Sequence, residues 1–306
     1  MEGIIALWKE RGMTSFDCVY RLRKILNTKK IGHGGTLDPE VDGILPVCVG
    51  SATKLIEYMI ESGKEYVGEI TLGISTTTED KEGEVVEKKE VQSLIAQEEI
   101  DAALRKFQGE IEQVPPMYSA VKVGGKRLYE YARQGKEIER LPRKVTIEEL
   151  TRTSEPVLDE ESKTLRFRFK VKCSKGTYVR TLAVDVGKEL GFPAHMSELT
   201  RTAAAGLTFE SAHTLLEIEE MKEAGDLGEV LLPLEIGAVG FQRVDLTDEQ
   251  VQNVKNGRVF PIELFQLEDV DAITALYYAD KLVALYQRHP SKSERFKPVK
   301  VIRTEF

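Results

Sequence analysis

Leu165 to Cys173, LRFRFKVKC, alternates without a break. Leu165, Phe167, Phe169, Val171 and Cys173 fall on one side of an extended chain, and Arg166, Arg168, Lys170 and Lys172 on the other. Successive strand side chains point to opposite faces, so the stretch reads as a strand of a sheet with one face covered and one in water. Such a strand needs neighbours. Tyr66 to Leu72 supplies one, with Tyr66, Gly68, Ile70 and Leu72 opposite Val67, Glu69 and Thr71. Gly3 to Trp8 reads as a short apolar strand. Glu84 to Glu87 reads as a return strand after the polar turn TTTEDKEG.

Helical stripes lie between these strands. Thr14 or Ser15 can cap a helix that buries Val19, Leu22, Ile25 and Leu26. Ala52 to Ile60 reads as a helix broken by Gly63, and Ile100, Leu104 and Phe107 give another its stripe. A further helix starts near Thr177, with Leu182, Val186 and Leu190 inside and Gly191 as its stop. The acidic stretch from Glu210 to Glu235 reads as helical and then linking. After Pro233 and Gly237 the pattern changes. Thr247-Asp248-Glu249-Gln250 forms a capping box, Gly257 stops that helix, and Ile273–Tyr278 and Leu282–Gln287 form a hairpin turned at Ala279-Asp280. The fold class is therefore α+β, a mixed and largely antiparallel sheet with flanking helices. We place the main domain at 1–236 and a small β-rich domain at 237–306.

Composition narrows the chemistry. At 306 residues, with 41% hydrophobic and 31% charged residues, the chain can bury a sizeable core. No apolar run is long enough for a membrane helix, and the start, MEGIIALWKERG, lacks the apolar core of a signal peptide, so a cytoplasmic protein is expected. Cys18, Cys48 and Cys173 are too scattered for a disulfide framework or a zinc knuckle. His33, His195, His213 and His289 make no metal-ligand spacing, and no second His or Cys stands near His195. No metal is expected. The net charge is −8, but it is unevenly spread. Residues 1–36 carry seven Lys or Arg against three acids, 117–146 eight against three, and 287–303 six against one. Basic runs alternating with acidic blocks suit one basic face for a phosphate backbone.

Two stretches stand outside the periodic pattern. In IGHGGTLDPEVDGILPVCVG, from Ile31 to Gly50, Gly34 and Gly35 open the main chain to close approach. Pro39 pushes Asp38 towards an extended conformation, on a loop beside a strand. An ordinary glycine-rich turn with Asp38 as turn former would read the same way. The second stretch, Val114 to Arg143, interleaves Tyr118, Tyr129 and Tyr131 with Lys122, Lys126, Arg127 and Arg133. That mixture suits looped or single-stranded RNA and equally an exposed, mobile insertion.

The strings GHGGTLDPEVDGILPVCVGSATK, KEYVGEITLG, QVPPMYSAVKVGGKRLYEYARQG and CSKGTYVRTLAVDVGKELG occur here in this order. Together they resemble the TruB family, the bacterial tRNA pseudouridine-55 synthases, over nearly the whole chain. Val41 and Asp42 fall at positions where variation within the family is expected. The resemblance implies a pseudouridine synthase fold followed by a PUA-like RNA-binding domain, with 114–143 as the element that closes over the T arm. It implies that uridine 55 in the T loop of tRNA is isomerised to pseudouridine after base flipping. Asp38 falls on the catalytic aspartate, Tyr66 on the active-site tyrosine, and Arg180 is assigned the countercharge. His33 would fill the space that the flipped base vacates, and Tyr178 and Leu199 match the remaining pocket positions. The reaction oxidises nothing and adds no group, so no cofactor is expected, and no membrane or obligate protein partner. A carboxylate can attack an electrophilic carbon and later leave, and a nearby guanidinium favours its charged form.

Two other readings exist. One is a non-catalytic RNA-binding or RNA-folding protein on the same scaffold, a role that can also accompany catalysis. The other is a hydrolase using Asp38 and Asp42 as a carboxylate pair.

Overall fold

The computed structural model describes residues 1–305, which fold as two compact units. One comprises residues 1–40, 44–60 and 205–305, and the other comprises 41–43 and 61–204.

The second unit is built on the alternating strand. Five strands lie in the order Ala194–Ala204, Lys64–Leu72, Thr164–Cys173, Arg143–Arg152, Gly109–Gln113, each antiparallel to its neighbour. Leu165 opposes Leu72 and Cys173 opposes Lys64, so the two periodic strands register along their full length. The apolar faces match as well: Leu165, Phe167, Phe169, Val171 and Cys173 are buried with Tyr66, Ile70 and Leu72, while Arg166, Arg168 and Lys172 face water. The helix Val179–Glu189 packs on the Ala194–Ala204 strand. Gly187 permits this approach, because a Cβ there would lie 2.2 Å from that of Ala194. Gly191 stops the helix with φ +81°. Its N–H donates to Lys188 O at 3.0 Å and that of Phe192 to Gly187 O at 2.9 Å, a Schellman ending. The Gln97–Arg105 helix ends before Phe107, which lies outside the expected stripe.

In the first unit the strand Gly3–Lys9 runs parallel to Ala212–His213, and Ile31–His33 runs antiparallel to 47–49. Their core joins Ile5, Leu7, Leu45 and Val47 to Cys18, Val19 and Leu22 of the helix Ser15–Ile25. Thr14 caps that helix, its hydroxyl accepting from Asp17 N, which leaves Ser15 free to turn inward. Residues 50–61 form a 3₁₀ turn, Gly50–Leu55, and a short α-helix, Ile56–Glu61, instead of one helix.

Residues 242–301 make their own five-stranded sheet, in the order Gln242–Asp245, Thr274–Tyr278, Lys281–His289, Lys292–Val301, Phe260–Pro261. Val251, Leu276, Val283, Tyr286 and Phe296 fill its core. The hairpin turns at Ala279 and Asp280, with φ of +48° and +60°, the two positive angles of a type I′ turn. Thr247 caps the Asp248–Val254 helix with Gln250 completing the box. The architecture is thus α+β, with a mixed, mostly antiparallel main sheet and a second β-sheet at the C-terminal end. Among the described residues no helix is long and apolar enough to cross a membrane.

Gly43 is the tightest main-chain approach in the second unit. Its φ is +112°, and a Cβ there would lie 2.2 Å from the Arg201 carbonyl oxygen. Gly43→Ala should therefore cost about 2–3 kcal/mol through strain and displacement of the Arg201 main chain, read as a lower urea midpoint. An unchanged midpoint would contradict this account.

Candidate active site

Asp38 and His33 belong to the first unit, and Tyr66, Tyr178, Arg180 and Leu199 to the second. His33 is half-buried at the end of the Ile31–His33 strand. The loop then turns through Gly34, whose N–H donates to Pro46 O at 2.8 Å, and Gly35, at φ +126°. Asp38 is exposed, as expected for a carboxylate on a loop. The residues on either side of it are tied down. Leu37 N–H donates to the buried Ser15 hydroxyl at 3.0 Å, and that hydroxyl donates to Leu37 O at 3.3 Å. Pro39 O accepts from Gly12 N at 3.0 Å and from Lys9 Nζ at 2.9 Å. Lys9 is fully buried, and its ammonium also donates to the carbonyls of Glu10 and Met13. A buried ammonium must be given oxygen partners. Main-chain carbonyls are among the partners here, so satisfying the charge also helps to fix the loop around Asp38.

In the second unit Tyr66 is buried on the apolar face of its strand, with Arg201 across from it on one side and Val171 on the other. Leu199 opposes Gly68. With no side chain at Gly68, Leu199 and Phe169 close over the position, each within 2.9 Å of where a Cβ would stand. The sheet therefore brings Tyr66 and Leu199 onto one face two residues apart. Tyr178 is half-buried and immediately precedes Val179, the first residue of the helix, in line with a start near Thr177. Arg180 lies in the first turn, where the helix dipole disfavours a cation. Oxygen groups of two loops help to hold it. Nη1 donates to Thr78 O at 2.9 Å and stands 3.5 Å from Asp80 Oδ2, and Nη2 donates to Tyr118 O at 2.8 Å.

Asp80 was not legible as a site residue, because TTTEDKEG reads as a surface turn. That turn is shaped for its task. Asp80 Oδ1 accepts from Thr78 Oγ1 at 2.5 Å and from Glu82 N at 3.0 Å, leaving Oδ2 towards Arg180. Glu79 sits at φ +64° and accepts a hydrogen bond from the Thr181 hydroxyl at 2.7 Å. Arg201, fully buried opposite Tyr66, and Lys9 were missed for a similar reason: each is a lone cation at the edge of an apolar segment. Asp42 accepts from Thr200 Oγ1 at 2.5 Å, a tie between strands that argues against a second catalytic carboxylate. His195 uses Nδ1 on Ile74 O at 2.8 Å, a structural role.

Burial pushes the Glu79 carboxyl above its ordinary range, and the Thr181 hydrogen bond and the Arg180 charge only partly offset this. The folded protein therefore holds that proton to higher pH than the unfolded chain. The associated stability is complete below the unfolded value and is lost as pH rises through the folded one. Glu79→Gln keeps an acceptor for Thr181 and carries no charge, so it should stabilise the protein at pH 7 and have little effect at pH 4. Urea midpoints for both proteins at the two pH values check this, and an equal difference at both would refute it.

Comparison with known proteins places this geometry in a family. Residues 23–179 match the TruB family pseudouridylate synthase N-terminal domain, and residues 180–238 the tRNA pseudouridylate synthase B C-terminal domain. The chain is 51% identical over 304 residues to the tRNA pseudouridine synthase B of Bacillus pumilus, covering 99% of this chain and 98% of that protein. It is 54% identical over 301 residues to that of Streptococcus sanguinis, covering 98% and 99%. Among solved structures it resembles one from a Cbf5-Nop10-Gar1 complex, with a TM-score of 0.74, 28% identity, and coverage of 98% of this chain and 85% of that one. It also resembles one from an H/ACA RNP bound to a substrate RNA containing 2′-deoxyuridine, with a TM-score of 0.73, 26% identity, and coverage of 98% and 85%. The HGGTLDP, KEY and GTYVR motifs all fall inside the matched domains, and the chain belongs to the TruB family of pseudouridylate synthases.

Proposed function

We propose that this protein isomerises uridine 55 in the T loop of tRNA to pseudouridine, with Asp38 as the nucleophile. The observation that carries the reading is the full-length match, at 51% and 54% identity, to proteins called tRNA pseudouridine synthase B. The reaction breaks the N1–C1′ bond and forms a C5–C1′ bond; C5 gives up a proton and N1 gains one, so atoms balance with no co-reactant. Asp38 supplies a carboxylate on a loop that Lys9 and Ser15 hold in place, suited to attack and later departure. Arg180 supplies a guanidinium that oxygen groups of two loops help to hold. Its assigned part is that of the countercharge. Tyr66 would stack on the flipped uracil, with its hydroxyl placed for the C5 proton. Tyr178 and Leu199 line the pocket, and His33 occupies the place the base leaves. Flipping a loop uridine costs on the order of a few kcal/mol, which RNA contacts elsewhere must supply.

The insertion is suited to those contacts. A small hairpin, Lys122–Val123 with Lys126–Arg127, leads into the short helix Leu128–Ala132, anchored by the fully buried Leu128. Arg127 and Arg133 both lie over the Tyr129 ring, at 5.8 and 5.3 Å, so cations and a stacking surface sit together. This element takes the T arm. Residues 237–306, as a PUA-like domain with the basic strand Lys292–Val301, make further phosphate contacts, and the protein works in the cytoplasm. A role in folding tRNA is compatible with the same surfaces. A purely non-catalytic role would leave Asp38, Tyr66 and Arg180 without a reason to occur together.

Asp38→Asn keeps the shape of the side chain and removes the nucleophile. It should abolish pseudouridine formation while tRNA affinity stays within about threefold, since affinity comes mainly from phosphate contacts. Turnover within tenfold of wild type would remove Asp38 from the mechanism.

A further inference from the structure

Gln113 ends the Gly109–Gln113 strand and opens the segment QVPPMY, which leads into the insertion. A strand end inside a unit would ordinarily carry an apolar side chain. Gln113 is instead 2% exposed, and its amide is spent on one main-chain unit. Oε1 accepts from Tyr178 N–H at 3.0 Å, and Nε2 donates to Tyr178 O at 3.2 Å. Tyr178 is the N-cap residue of the Val179–Glu189 helix and makes no side-chain cap. Its carbonyl also accepts the first helical hydrogen bond, from Leu182 N at 3.0 Å. A primary amide is costly to bury unless both ends are satisfied. Here satisfying it fixes where the helix begins.

Five residues further on, Tyr118 O takes the Arg180 guanidinium at 2.8 Å. Between the two contacts, Pro115 and Pro116 restrict the backbone, and Pro115 O is held by Arg140 Nη1 at 3.1 Å. The segment from Gln113 to Tyr118 is thus a stiff strut that meets the first turn of the helix at two points. One point sets Tyr178 and the other sets Arg180.

We propose that Gln113 is a positioning residue for the reaction, holding the Tyr178 main chain so that the Tyr178 ring and the Arg180 guanidinium are presented to the uridine in register. This rests on the reading of Tyr178 and Arg180 as residues of the substrate pocket. Gln113 itself touches no reacting atom. Its contribution is to kcat, because it fixes groups needed when the base reacts, and not to the phosphate contacts that set tRNA affinity.

The test compares Gln113→Glu and Gln113→Leu with wild type, using unmodified tRNA and a direct assay of pseudouridine. The glutamate keeps the size and the acceptor for Tyr178 N–H, but loses the donor and turns an oxygen towards Tyr178 O. The leucine removes both contacts. We expect kcat to fall about tenfold in the glutamate variant and further in the leucine variant, the size that small misplacements of reacting groups produce. KM for tRNA should stay within about twofold. Hydrogen exchange gives a second readout, in which the Tyr178 amide loses protection in the leucine variant while amides of the Thr164–Cys173 strand keep theirs. Two results overturn the proposal: kcat within twofold of wild type in Gln113→Leu, whatever its melting temperature, or a raised KM with unchanged kcat. Wild-type protein that makes no pseudouridine would instead overturn the functional reading on which it rests.

Discussion

A guanidinium taken out of water must be given oxygen partners in the plane of its nitrogens, or the protein carries an uncompensated buried charge. Arg180 imposes that requirement on the second unit. Its side chain is almost fully buried in the first turn of a helix, where the dipole adds to the penalty. Two main-chain carbonyls and a carboxylate are among the groups that meet the demand, and they come from two loops: Thr78 and Asp80 from one turn, Tyr118 from the entry to the insertion. The left-handed backbone at Glu79 lets successive residues of that turn reach Thr181 and Arg180. One buried cation thereby organises two loops that the sheet leaves undetermined.

The first unit uses the same device. Lys9, at the end of a strand, is buried with its ammonium on the carbonyls of Glu10, Met13 and Pro39. Ser15 bonds both main-chain groups of Leu37. Asp38 lies between the two ties with its own side chain exposed. A loop that is to present a nucleophile, the part proposed for Asp38, has to be both accessible and fixed, and the main-chain ties of Leu37 and Pro39 fix it on either side of the carboxylate.

What the sequence made legible follows from how local each determinant is. The strands Thr164–Cys173 and Lys64–Leu72 show their period directly, and the capping boxes at Thr14 and Thr247 and the stop at Gly191 are short-range patterns with short-range causes. The strand Ala194–Ala204 escaped notice. AHMSELTRTAA has no β-branched or aromatic run, and it is extended because it pairs along the whole of Lys64–Leu72. Asp80 and Gln113 were unreadable for a related reason, since their partners lie 100 and 65 residues away in the chain. The family resemblance assigned Asp38, Tyr66, Tyr178, Arg180 and Leu199 to a site by their motifs, but it contained nothing about what holds them. Long-range polar contacts leave no periodic trace in a single sequence, whereas apolar faces do.

The central claim is that these residues carry out one isomerisation at one uridine. The most direct measurement is pseudouridine mapping at every position of an unmodified tRNA incubated with the purified protein alone, with free uracil assayed in the same reaction. The account predicts pseudouridine at position 55, none elsewhere, and no release of uracil. Free uracil without pseudouridine, or an unmodified position 55 in tRNA that the protein binds, would contradict it.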